Sequence, residues 1–103
     1  MRIKNLLLVK IKSTITMKFN SRVTLNDIVD FILNKVSLHT KVPRDTLNAD
    51  TLLANVGVDS LIAVLICGYL EDEYNLEIEP FIMFEYKTAD EVANVIFKRV
   101  ASE

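Results

Sequence analysis

Four places in this 103-residue chain hold side chains suited to chemistry: His39, Ser60, Cys67 and the acidic run Glu71-Asp72-Glu73 with Glu77 and Glu79. Cys67 sits in Leu61–Leu70, ten residues without a charge. A thiol buried among apolar neighbours is inert. His39, beside Thr40 and Lys41, reads as an ordinary surface histidine. The acids read as a solvated face. A triad of Ser60, His39 and an acid would lack the Gly-rich elbow and oxyanion loop such chemistry needs. Two glycines cannot build a phosphate cradle. One cysteine and one histidine exclude a cysteine-cluster or multi-histidine metal centre. No catalytic residue and no metal site is therefore expected, and the chain is not read as an enzyme.

Ser60 has the most informative setting. It closes Gly57-Val58-Asp59-Ser60 and opens the apolar stretch. Gly57 permits a tight turn, Asp59 is a good N-cap, and Ser60 falls at the first helical position. Unpaired backbone N–H groups and the positive end of the dipole lie beside that position. A phosphate joined to Ser60 is tolerated there. The dipole contributes only ~0.3–1 kcal/mol at an exposed site, too little to hold a phosphate ligand reversibly. A lasting attachment must be covalent. Taken alone, Asp59-Ser60 reads as an ordinary cap pair, because Ser and Asp open many helices.

The elements that position Ser60 follow from periodicity. Thr24 with Asp27 makes a capping box of the shorter acid. Leu25, Ile28, Val29, Ile32, Leu33 and Val36 follow at helical spacing. Asp27, Asp30, Asn34 and Lys35 take the wet side, and Pro43 ends the helix near His39-Thr40. Residues 40–58 form a long connection, a length that usually has a job. Val42, Leu47, Leu52, Leu53, Val56 and Val58 are expected to pin it to the core, with a short helical turn around Asp50–Ala54. The second helix runs from Asp59-Ser60 to about Tyr74. Being apolar all round in so small a domain, it cannot be buried on every side. Some of Leu61, Ile62, Val64 and Leu65 should be exposed, and an exposed apolar patch is a docking candidate. Gly68 would mark close packing by another element. Phe81–Tyr86 reads as one packed turn in which Phe81, Met83 and Phe84 compete for the core. A last helix starts at Thr88 with Glu91 in a capping box. It carries Val92, Ala93, Val95, Ile96, Phe97 and Val100 inward, with Lys98 and Arg99 near its negative end. The fold class is all-α: a small bundle of three to four helices with a long first loop.

The length allows one small domain. Residues 1–22 hold six of the twelve basic side chains and no acid, so residues 23–103 carry a net charge of −8. Residues 1–22 are read as a basic extension and 23–103 as the domain. An acidic body repels nucleic acid phosphates and attracts basic partner surfaces. No apolar run reaches the ~18 residues of a membrane span, no secretory signal is evident, and nothing needs oxidising conditions. The expected setting is cytoplasmic and the expected state a monomer. From Val9 to Phe19 apolar and polar residues alternate, which reads as a half-buried strand. No convincing partner strand follows. Pairing with another chain, disorder, and a natural start at Met17 all stay open for this segment.

Gly57-Val58-Asp59-Ser60-Leu61 resembles the G-x-D-S-L signature of acyl carrier proteins and related carrier domains. The likeness runs from about Leu25 to Val100. It takes in the helix before a long loop, the Leu70-Glu71-Asp72-Glu73-Tyr74 stretch, and Met83-Phe84-Glu85-Tyr86-Lys87-Thr88. That last segment is similar to the F-[DE]-x-P-T segment of modular polyketide synthase carriers, with Lys87 in place of the usual proline. The resemblance implies that Ser60 carries 4′-phosphopantetheine, donated from coenzyme A by a phosphopantetheinyl transferase. The arm's thiol would hold acyl cargo for loading, synthase and ligase enzymes. Asp59, Leu61, Ile62, Val64 and Leu65 would then form the docking face. Carriers of fatty acid synthesis often show acids early in this helix, where Ile62 and Leu65 stand here. Many peptidyl carriers have histidine where this chain has Asp59. The likeness therefore leans towards acyl cargo in polyketide or mixed polyketide–peptide assembly. A peptidyl, aminoacyl or fatty-acid carrier, or a helical adaptor never given the arm, is the alternative.

Overall fold

In the computed structural model, residues 23–79 and 81–102 are described. The strand expected at Val9–Phe19 and the question of Met17 lie outside them. Among the described residues four α-helices follow in order: α1 (Leu25–Thr40), α2 (Ser60–Tyr74), the single turn α3 (Ile82–Glu85) and α4 (Ala89–Ser102). Two 3-10 turns, Arg44–Thr46 and Leu53–Val56, interrupt the long connection before α2. No strand occurs among the described residues. One antiparallel bridge, Leu52 to Thr88, ties the loop to the start of α4. The all-α bundle with a long first loop is the fold expected.

Local chemistry sets the ends of α1. The Thr24 hydroxyl accepts from the Asp27 N–H at 3.1 Å, and the Asp27 carboxylate accepts from the Thr24 N–H at 3.0 Å. At the other end Lys41 adopts a left-handed conformation (φ 68°) and returns its N–H to the Ser37 carbonyl, a common way to satisfy a terminal carbonyl. Ile28, Ile32, Leu33 and Val36 from α1 join Ile66 and Leu70 of α2 and Val92 and Ile96 of α4 in the core. α1 packs on both α2 and α4.

The loop departs from expectation in detail. Leu47 and Leu53 are buried, and Val42, Val56 and Val58 are partly so, but Leu52 is 47% exposed. Leu52 is extended and Leu53 opens the following 3-10 turn; the change of backbone sends Leu53 inward and Leu52 outward. The helical turn expected around Asp50–Ala54 lies later, at Leu53–Val56. Asn48 and Thr51 instead close a turn of their own, their side chains bonded at 3.1 Å and the Asn48 N–H donated to the Thr51 hydroxyl. Such local bonds compete with helix. In α3 the core takes Ile82 and Met83, and leaves Phe81 and Phe84 in solvent, because one helical turn has one inward face. A methyl added at Gly68 would meet nothing within 4 Å, so no element packs closely there.

Candidate functional site

Gly57 sits at φ +101°, a left-handed geometry that a side chain would strain. Its α-carbon lies against Thr40 at the end of α1, where an added methyl would stand 3.7 Å from the Thr40 methyl. The chain thus turns sharply between two fixed points before Asp59. Asp59 Oδ1 accepts the Ile62 N–H at 3.0 Å, and the Asp59 carbonyl accepts the Ala63 N–H at 2.9 Å. This cap makes Ser60 the first residue of α2, and Ser60 is exposed. Among the described residues nothing hydrogen-bonds its hydroxyl or the N–H groups of Ser60 and Leu61. The site therefore offers an accessible oxygen with two free donors at the positive end of a helix.

Around it lies apolar surface. Leu61 is 68% exposed, Val64 and Leu65 are also exposed, and Ile62 is partly buried. The inward face of α2 is instead Ala63, Ile66, Cys67 and Leu70. The sequence brought these five docking candidates to the cap and first two turns of α2 without separating them. The structure sorts them: Asp59 caps, Ile62 leans on the core, and Leu61, Val64 and Leu65 stand out.

Beside this face is a cleft of about 320 Å³. Leu52, Leu53, Ala54, Val58, Ala63, Met83 and Phe84 supply apolar walls, and Asn55 and Lys87 the polar edge. Val58 and Ala63, two of the lining residues, bracket Ser60 in the chain. The sequence reading missed this cleft. It placed Leu52 and Phe84 as core candidates, and the usable signal was the crowding of adjacent apolar residues in segments too short to bury them all.

The other candidates stay apart from chemistry. Cys67 is buried, and desolvation, assisted by Glu71, pushes its thiol up to about 11. His39 is not the solitary surface residue expected. Its Nε2 lies 2.9 Å from the Tyr69 hydroxyl, and the two rings stack at 5.5 Å. The Lys35 ammonium covers the same Tyr69 ring at 4.6 Å. His39 can reach this partner because the end of α1 lies along α2, a proximity invisible in sequence. Glu71 is not merely solvated either: its Oε2 accepts the Ile78 N–H at 2.8 Å and holds the connector after α2. Among the described residues no three His, Cys, Asp or Glu side chains could hold a metal ion. No described helix is long and apolar enough to cross a membrane.

The sequence pattern of the family described as "Phosphopantetheine attachment site" matches residues 30–96. A free-standing peptidyl carrier protein from an Acinetobacter baumannii secondary metabolic pathway shares the fold with TM-score 0.70 and 26% identity. The match covers 74% of this chain and 95% of that one. The HMG-ACPI domain of the CurA module from Lyngbya majuscula superposes with TM-score 0.71 at 19% identity, over 77% of this chain and 80% of that domain. A search of curated proteins finds no match. The exposed serine at a capped helix start and the family match over most of the folded residues agree: this chain belongs to the phosphopantetheine-attachment family, whose members covalently carry a 4′-phosphopantetheine group.

Proposed function

We propose that residues 23–103 form a carrier domain and that Ser60 is the attachment residue. The observation that carries this reading is the exposed, unbonded Ser60 hydroxyl at the Asp59-capped start of α2. It fits the group's phosphate, because the free N–H groups of Ser60 and Leu61 face the same end of the helix. When bound, the group supplies a thiol that holds cargo as a thioester. The protein's own residues do the rest. Asp59 fixes the helix start, Gly57 and Thr40 fix the approach of the loop, and Leu61, Val64 and Leu65 offer an apolar landing face. Such a face suits short-lived docking, with the acidic body steering encounter. Tethering raises the effective concentration of cargo at each partner.

The proposed partners are a phosphopantetheinyl transferase and the loading, synthase or ligase enzymes of a biosynthetic pathway, and the proposed role is carriage without a catalytic centre. Acyl cargo, in polyketide or mixed polyketide–peptide assembly, is supported by Asp59 ahead of Ser60. The peptidyl alternative is favoured by the likeness to the Acinetobacter carrier. Incubation with coenzyme A and a broad-specificity transferase tests the core claim. One phosphopantetheine is expected to appear by mass spectrometry and to be lost in Ser60→Ala. A chain that stays bare with several transferases overturns the reading. Loading the primed chain with acyl or aminoacyl donors then separates the two cargo classes.

A further inference from the structure

We propose that Lys87 selects acyl cargo ending in a carboxylate, with the chain of that cargo lying in the cleft beside Ser60; this rests on the carrier reading. The backbone of Lys87 is clamped on both sides. Its N–H is donated to Glu91 Oε1 at 2.7 Å, and its carbonyl accepts the Leu53 N–H at 3.0 Å. The neighbouring Leu52–Thr88 bridge adds a second tie between the same two segments. The side chain therefore leaves a fixed root at the cleft edge, and only its end is free to move. A proline here would have no N–H for the Glu91 carboxylate, so lysine both completes the start of α4 and brings a cation to the cleft.

The walls next to that cation are apolar: Leu53, Val58, Ala63, Met83 and Phe84. Such walls accept methylenes and penalise an unpaired charge. A lysine stem can lie along them with its ammonium at the edge. Three other cations of the acidic body are engaged elsewhere, Arg44 with Asp30, Arg99 with Glu79, and Lys35 over Phe31 and Tyr69; Lys41 and Lys98 do not line the cleft. The Lys87 ammonium makes no ion pair among the described residues. A chain that ends in a methyl gains only the walls. One that ends in a carboxylate gains the cation as well, and specificity is that difference.

The test uses the full chain carrying a six-carbon cargo, either adipyl or hexanoyl, with loading verified by mass. The readout is the rate of thioester cleavage by hydroxylamine, divided by the rate for the same thioester on free pantetheine. Adipyl is expected to be protected about two- to fivefold more than hexanoyl, the range of a partly exposed ion pair. The advantage should vanish in Lys87→Gln, persist in Lys87→Arg and shrink in high salt. Methyl resonances of Ala63 and Met83 should shift more on adipyl than on hexanoyl loading. Equal protection of the two cargos, or an advantage that survives Lys87→Gln, overturns the role of Lys87 alone. A chain that never takes the arm overturns the carrier reading with it.

Discussion

The Asp59 carboxylate holds the Ile62 backbone N–H at 3.0 Å, and this one bond decides where α2 begins and so where Ser60 stands. Replacing an N-cap Asp by Ala costs roughly 0.5–2 kcal/mol, whereas Asn caps about as well. Asp59→Ala should therefore lower the unfolding free energy by about that amount, read as a lower urea midpoint with unchanged slope, and Asp59→Asn should stay near the parent. The first turn of α2 should also fray in Asp59→Ala, visible as faster amide exchange at Ile62 and Ala63. Unchanged exchange would mean that packing, not the cap, sets the helix start.

The docking face offers an internal control. Leu61 and Leu38 are similarly exposed, at 68% and 57%, but Leu38 lies on α1, away from the Ser60 turn in the chain. Leu61→Glu and Val64→Glu should fold like the parent by circular dichroism, since neither side chain is in the core. Both should slow transfer of the phosphopantetheine arm by about tenfold or more, the effect of removing a well-placed interface anchor. Leu38→Glu should leave the rate unchanged. Equal slowing by all three would point to a general charge effect and remove α2 from the interface.

Much of this arrangement was legible in the sequence. Thr24 with Asp27, Asp59 before Ser60, and Thr88 with Glu91 each act locally, over three residues, and each forms the cap its pattern implies. The Glu91 carboxylate differs by one residue, accepting from Lys87 rather than completing a box on Thr88. Ser60 was readable because its signal is a five-residue motif. The cleft was not, because its walls come from three segments, and which of Leu52 or Leu53, Met83 or Phe84 turns inward depends on tertiary packing. The His39–Tyr69 contact spans thirty residues and leaves no periodic trace.

That contact can be weighed directly. Tyr69→Phe keeps the ring stacked on His39 and under Lys35 and removes only the hydroxyl. The expected loss is about 0.5–1.5 kcal/mol, typical of one hydrogen bond, read as a lower urea midpoint with unchanged slope. In a double-mutant cycle with His39→Phe, the second substitution should cost less once the first is made. Fully additive costs would show that the two side chains do not act together.

Two groups make the fold sensitive to alkali. Burial, then Glu71, raises the Cys67 thiol from 9.0 to about 11; burial, then Glu73 and Asp27, raises the Tyr74 hydroxyl from 10.0 to about 12. Both are acids with folded values above their unfolded ones, so the folded state binds more protons between those limits. Stability from this source is fully present below about pH 9 and is lost as the pH rises towards 12. The urea midpoint should fall over that range, and the fall should be smaller in Tyr74→Phe and in Cys67→Ala, each measured against its own value at pH 7. The same burial should make Cys67 alkylate far more slowly in the native protein at pH 8 than in urea, because the thiolate is scarce and covered. A native rate equal to the unfolded one would place the thiol at the surface and remove its share of the alkaline effect.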